Sequence, residues 1–188
     1  LDEVGIPYME IGMMTGEESA AWFREVAAEP FSVARPVIFS QTCRSGEAAA
    51  ENTLLRLTAE SPIGCVSIFG KSWRYQAQRV LGTTAEENLR MIRESVAYLK
   101  AAGKQVFFDA EHFFDGYSDD ADYACTAVET AFAAGADRVV LCDTNGGMLP
   151  DSIGVAVDGI LAQLPEEARD RLGIHCHNDM GMAAACTV

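Results

Sequence analysis

Gln105-Val106-Phe107-Phe108-Asp109-Ala110-Glu111 is an apolar run that turns acidic before it ends. Side chains on a strand repeat every two residues, so Asp109 and Glu111 share a face. Carboxylates behind a Val-Phe-Phe run are costly in a dry core unless they are paired or bound to something. The run therefore reads as a strand whose C-terminal end meets either a reacting group or a structural partner. A base, a support for a metal or a substrate clamp would justify the acids, and so would a capping or salt-bridged pair at the strand end. His112 has the opposite parity to Glu111 and reads as structural or supporting.

The same design recurs on both sides of it. Strands are expected at Tyr8–Gly12, Pro36–Ser40, Cys65–Gly70, Gln105–Glu111, Arg138–Asp143 and Gly173–His177. Spacings of roughly 25 to 40 residues are the size of a βα unit. Helices are expected between them at Glu17–Ala28, Ala48–Ala59, Thr84–Ala101, Asp120–Ala134 and Asp151–Leu164. Thr84-Ala85-Glu86-Glu87 has the pattern of a capping box, and Leu89, Ile92, Val96 and Leu99 make its apolar stripe. Alternating strands and helices imply a parallel sheet covered on both faces. A doubly wound sheet would carry a glycine-rich turn after its first strand, and Gly12-Met13-Met14-Thr15-Gly16 fits that poorly. Polar residues gather instead at the C-terminal ends of several strands, as in a (β/α)8 TIM barrel. About six of its eight βα units are present, because a whole barrel takes about 250 residues.

Those strand ends hold the candidate chemistry. Phe69-Gly70-Lys71-Ser72-Trp73, with Arg74 and Arg79, is a basic loop in an acidic chain. Lys71 and Ser72 are its candidate substrate contacts, for a phosphate or a carboxylate; the alternative is a solvated loop. In Cys142-Asp143-Thr144-Asn145-Gly146-Gly147 a strand enters a tight turn, and either Asp143 or Thr144 can point inward, not both. His175 and His177 are two of the chain's three histidines. Their spacing places both on one face, either as a metal seat or as hydrogen-bonded residues near a turn. Cys176 points the other way, and Asn178 and Asp179 orient the loop or the imidazoles.

Composition narrows the partners. Hydrophobic content is 49% and charged content 22%, ordinary for a globular protein. A net charge of −14 argues against nucleic acid and anionic membranes. No apolar run reaches the ~18 residues of a membrane span. The six cysteines include no CxxC pair and sit mostly in apolar runs, which suits free thiols in a reducing cytoplasm. The opening Leu1–Gly5 resembles the last turn of a helix and the stretch from Met182 to Val188 the first turn of another. The chain therefore reads as an excerpt of a longer protein, one catalytic barrel-domain fragment over residues 1–188.

The stretches Phe69–Trp73, Phe108–Tyr117, Leu141–Gly147 and Gly173–Asp179 resemble, in that order, the citramalate synthases. These belong with the 2-isopropylmalate and homocitrate synthases and the hydroxymethylglutaryl-CoA lyases among the TIM-barrel metal enzymes. The likeness is close from Cys65 onward and loose before Pro62. It implies a Claisen condensation of acetyl-CoA with a 2-oxo acid, pyruvate first and 2-oxoisovalerate second, followed by thioester hydrolysis. It implies a divalent metal (Zn, Mg or Mn) on His175 and His177, Glu111 and Thr144 beside the oxo acid, and Asp109 lining the pocket for its side chain. It also implies a homodimer for the full-length protein. The family's arginine–aspartate pair of the first strand, its asparagine ligand on the last strand and its C-terminal base have no counterpart here. The excerpt should therefore be inactive by itself, with open barrel edges. A C–C lyase on the same seat and a non-catalytic barrel remnant are the competing readings.

Overall fold

The computed structural model describes residues 1–188. Six strands form one sheet: β1 (Tyr8–Met13), β2 (Arg35–Gln41), β3 (Cys65–Lys71), β4 (Gln105–Glu111), β5 (Arg138–Asp143) and β6 (Leu172–Cys176). Every neighbouring pair is parallel and the spatial order equals the sequence order. That order is the one a (β/α)8 barrel imposes, and six strands make a curved part of such a barrel. β1 and β6 each keep one unpaired edge.

The helices are α1 (Glu17–Val26), α2 (Thr53–Glu60), α3 (Arg74–Arg79), α4 (Ala85–Ala101), α5 (Phe113–Asp119), α6 (Ala121–Ala133), α7 (Pro150–Gln163), α8 (Glu166–Arg169) and α9 (Ala183–Thr187). They cover the outer face of the sheet. The main core lies in that layer, a cluster of 34 buried residues that includes Ile38, Ile68, Phe108 and Leu141 from the strands and Phe23, Leu55, Ile92 and Val128 from the helices. The inner face holds a separate three-residue cluster, Val37, Cys65 and Phe107, with Tyr8 against it. It plugs the end of the barrel opposite the strand C-termini. No helix is long and apolar enough to cross a membrane. All six cysteines are free thiols, and only Cys176 is less than buried.

Local departures from the sequence expectations have physical causes. The helix expected over Ala48–Ala59 is broken into a 3-10 turn, Ala49–Glu51, and α2. Asn52 interrupts it: its Oδ1 accepts from the Leu55 N–H at 3.0 Å and its Nδ2 donates to Glu47 at 2.7 Å. An Asn that can cap competes with helix continuation. The box at Thr84 is half made. Thr84 Oγ1 accepts from the Glu87 N–H at 3.1 Å, but the Glu87 carboxylate turns to the Gly46 N–H and to Arg90, each at 2.7 Å. The basic loop is not a loop. Arg74 to Arg79 form α3, and Arg74 is committed to Asp120 at 2.7 Å.

The short α5 follows β4 with only His112 between them. It lies so close to the β3–α3 connection that a Cβ on Gly116 would sit 2.5 Å from the Ser72 carbonyl oxygen and 2.9 Å from Trp73 Cα. Both obstacles are backbone, so neither can swing aside. Gly154 in α7, by contrast, has nothing near its missing Cβ. Gly116→Ala is expected to lose about 1–3 kcal/mol of stability by overpacking, whereas Gly154→Ala should gain about 0.5–1 kcal/mol by restricting the unfolded chain. Urea denaturation of the two variants checks the contrast.

Candidate active site

The inward-facing side chains at the C-terminal ends of the strands enclose a cavity of about 410 Å³. β4 contributes Asp109 and Glu111, β5 Cys142 and the following Thr144, and β6 His175 and the following His177. Phe39 from β2 and Phe69 from β3 stack with ring centroids 5.2 Å apart and form its apolar wall. β1 contributes Glu10 and Met13, residues of opposite parity on a regular strand. A register shift between Glu10 and Gly12 inserts an extra residue and turns both inward.

Of the sequence candidates, Asp109, Glu111, Thr144, His175 and His177 meet in this cavity. Lys71 stands at its border. It lines an adjoining cavity of about 520 Å³ with Gln41, Thr42 and Arg44, and its Nζ pairs with Glu111 at 2.5 Å. The β3–β4 register sets Lys71 directly opposite Glu111, which makes the ion pair a cross-strand neighbour. Ser72 is not on the cavity wall. It is fully buried, and both its N–H and its hydroxyl donate to the Glu111 carbonyl, at 3.0 and 2.8 Å. Parity turns it behind the strand, where it anchors Glu111 rather than touching a ligand.

At the end of β5 Thr144 faces the cavity and Asp143 faces away. Asp143 is 1% exposed, and its carboxylate accepts from the N–H groups of Gly147 and Met148 at 3.3 and 3.1 Å. Its carbonyl accepts from the His177 N–H at 3.2 Å, which fastens the histidine segment to β5. Gly146 between them has φ 60°, and a Cβ there would lie 2.6 Å from Asp179 Oδ1. Asn178 Oδ1 accepts from the Ala183 N–H at 3.1 Å, so Asn178 and Asp179 shape the loop.

The ring centroids of His175 and His177 are 4.9 Å apart, with planes inclined by 57°. Cys176 packs against the main core on the other face. Two imidazoles turned to one cavity suit a divalent cation. No third His, Cys, Asp or Glu joins them as a ligand cluster. The residues present thus fit two coordination positions and leave the others to water, substrate oxygens or further protein ligands.

The acids here are electrostatically crowded. Desolvation pushes the Asp109 carboxyl up to about 7, the Ser67 hydroxyl at 3.0 Å opposes this, and the charges of Glu10 and Glu111 add to it. Desolvation also raises Glu10, with His175 pulling the other way. The Cys142 thiol is raised by burial and then by Asp109 and Glu111. Glu10, Met13, Phe39, Phe69 and Cys142 escaped the sequence reading. Cys142 shares Thr144's parity and could have been found by it, and Met13 depends on a bulge whose signal is Gly12, at φ 144° inside the strand.

Comparison with known proteins places this arrangement. The HMGL-like family model matches residues 1–188. An (R)-citramalate synthase of Aquifex aeolicus is 42% identical over 189 residues, covering 98% of this chain and 35% of the relative. One from Sulfolobus acidocaldarius is 39% identical over 189 residues, covering 100% of this chain and 35% of the relative. The chain thus spans about a third of the length of these curated relatives. A Bacillus subtilis HMG-CoA lyase structure superposes with a TM-score of 0.78 at 15% identity, covering 97% of this chain and 60% of the lyase.

The Asp109 shift has a signed consequence. Between the ordinary value of 3.8 and about 7, the folded state keeps a proton that the unfolded chain has released. Stability due to this group therefore falls as pH rises through that window. Asp109→Asn removes the effect, so its stability relative to wild type should rise between pH about 4 and about 7 and level off above. Urea denaturation of both proteins across this range measures it; a pH-independent difference would contradict the assignment.

Proposed function

The chain belongs to the HMGL-like family, and on that premise we propose that the full-length protein is an acyltransferase that condenses acetyl-CoA with pyruvate to citramalate. The observation that carries this reading is the meeting of Glu111, Thr144, His175 and His177, from three adjacent strands, in one cavity. Similarity at 39–42% identity to (R)-citramalate synthases supports the synthase over the lyase, since the likeness to lyase structures concerns the fold alone.

In the balanced reaction the acetyl methyl loses a proton and its carbon bonds to the oxo carbon of pyruvate. The oxo oxygen gains a proton, and water then cleaves the thioester to release citramalate and CoA. His175 and His177 would hold a divalent cation. When bound there, it would supply Lewis-acid polarisation of the oxo acid. Thr144 and the Lys71-paired Glu111 flank the place where the oxo acid would lie. Phe39, Phe69 and Met13 give that place apolar walls, suited to a small apolar substituent. Asp109, whose carboxyl burial pushes up to about 7, carries less negative charge toward an anionic substrate than an ordinary carboxylate would. Acetyl-CoA as co-substrate, a homodimer of the full-length protein and a cytoplasmic setting accompany this reading through the family likeness.

Assay of the full-length protein for CoA release tests the proposal. Pyruvate should support turnover and 2-oxoisovalerate should not; dominance of 2-oxoisovalerate would make it a 2-isopropylmalate synthase, and no release with any oxo acid would sink the synthase reading. His175→Ala and His177→Ala should each lower turnover by more than ~100-fold, as losing a ligand exceeds losing its support. Elemental analysis should show reduced bound metal in both, and unchanged metal content would refute the seat.

A further inference from the structure

The ends of β4 and β5 are tied together at two points. The His112 backbone N–H donates to Thr144 Oγ1 at 2.8 Å. Three residues on, Asp115 Oδ2 accepts from Asn145 Nδ2 at 3.0 Å. Consecutive residues of the β5 turn are thus held by the start of α5. The arrangement depends on an uncommon backbone: His112 is the only non-glycine residue with positive φ, at φ 59° and ψ 31°. L side chains resist this left-handed conformation. The surroundings impose it. On one side the preceding Glu111 carbonyl is pinned by Ser72. On the other, the imidazole is buried beneath Trp73, with ring centroids 6.0 Å apart. Its Nδ1 has no hydrogen-bond partner and stands 3.5 Å from Asp115 Oδ2.

A chemical consequence follows for Thr144. A backbone N–H can only donate, so Thr144 Oγ1 meets it with a lone pair. The hydroxyl proton of Thr144 is given to no protein atom, and the side chain lines the cavity. We propose that the left-handed turn at His112 is a positioning device that fixes the Thr144 hydroxyl as a hydrogen-bond donor to a substrate oxygen, with the Asp115–Asn145 bond keeping the turn in register. This rests on the function proposed above and names the group Thr144 meets: a carboxylate or carbonyl oxygen of the oxo acid. His112 acts through Thr144 and does not touch the substrate itself.

The test uses steady-state kinetics of the full-length enzyme with pyruvate. Thr144→Val keeps the shape and removes the donor, and should lower kcat/KM by about 10- to 100-fold, the worth of a hydrogen bond to a charged oxygen. His112→Val, whose branched side chain opposes φ 59°, should lower it by about tenfold. His112→Gly, free to adopt the turn, should stay within about threefold of wild type. Because the valine variants interrupt one interaction, the double variant should fall no more than about twofold below Thr144→Val alone. If His112→Val fails to fold, Asp115→Ala breaks the second tie away from the cavity. It should lower kcat/KM by about threefold to tenfold, again without adding to Thr144→Val. Wild-type kcat/KM in His112→Val or Asp115→Ala, even with a lowered melting temperature, overturns the proposal. So do losses that multiply with that of Thr144→Val. A wild-type enzyme that releases no CoA is a separate result, which removes the functional reading and this inference with it.

Discussion

The Glu111 carbonyl accepts two hydrogen bonds from Ser72, and its carboxylate is held by Lys71. This cross-strand anchorage is what the geometry of the barrel mouth depends on. Glu111 is the last residue of β4, and with its backbone fixed the chain can turn at once through His112 into α5. That turn delivers the N–H that meets Thr144, and the close approach of α5 to Ser72 is what demands glycine at position 116. The next strand is joined similarly: the Asp143 carbonyl takes the His177 N–H and extends β6-like alignment beyond Cys176. Four strand ends are therefore stitched in series, through β3–β4, β4–β5 and β5–β6. Each stitch uses at least one backbone group; at β4–β5 that group takes only a lone pair of the Thr144 hydroxyl, which leaves its proton free toward the cavity.

Much of this was legible in the sequence because the controlling rule is simple. Parity on a strand placed Asp109 with Glu111 and His175 with His177, and all four face one cavity. The strand positions followed from short apolar runs between amphipathic stretches. Parity could not choose between Asp143 and Thr144. The choice is made by the two N–H groups of Gly147 and Met148, which draw the Asp143 carboxylate away from the mouth. Ser72 was misread for a related reason: it follows Lys71 at the strand end and so turns to the opposite side. The left-handed turn at His112 was invisible because the decisive residue is neither glycine nor proline, whereas the bulge on β1 left a signal that went unused, Gly12 at φ 144° inside the strand. The turn at His112 is imposed by packing, and local propensity is silent about it.

The short helices α3 and α5 make the same point from another direction. Trp73 and His112 precede them and neither provides a side-chain cap. An uncapped helix of six or seven residues has little intrinsic stability. These two persist because they are held from outside: Arg74 by Asp120 and the Tyr123 ring, α5 by Phe113 and Phe114 in the core. Asp120 also accepts from the Tyr123 N–H and so ends one helix while starting the next. A sequence reading that asks each helix to justify itself will miss elements whose justification is tertiary.

Position in the sheet decides how far each mouth residue's chemistry belongs to this segment. Asp109 sits on a central strand, 8% exposed, with neighbours on both sides. Its raised proton affinity comes first from burial on that central strand, with the charge of Glu10 on the edge strand a lesser contribution. Glu10, His175 and His177 belong to or follow the edge strands, and all three are exposed. Whatever pairs with the open edges of β1 and β6 will desolvate them and change their charge balance. Asp109, by contrast, is buried among residues that no added strand would displace. The central carboxyl, with its proton retained toward neutral pH, is thus the mouth's intrinsic electrostatic feature. The histidine pair is its adjustable one, since both imidazoles are exposed at an open edge of the sheet.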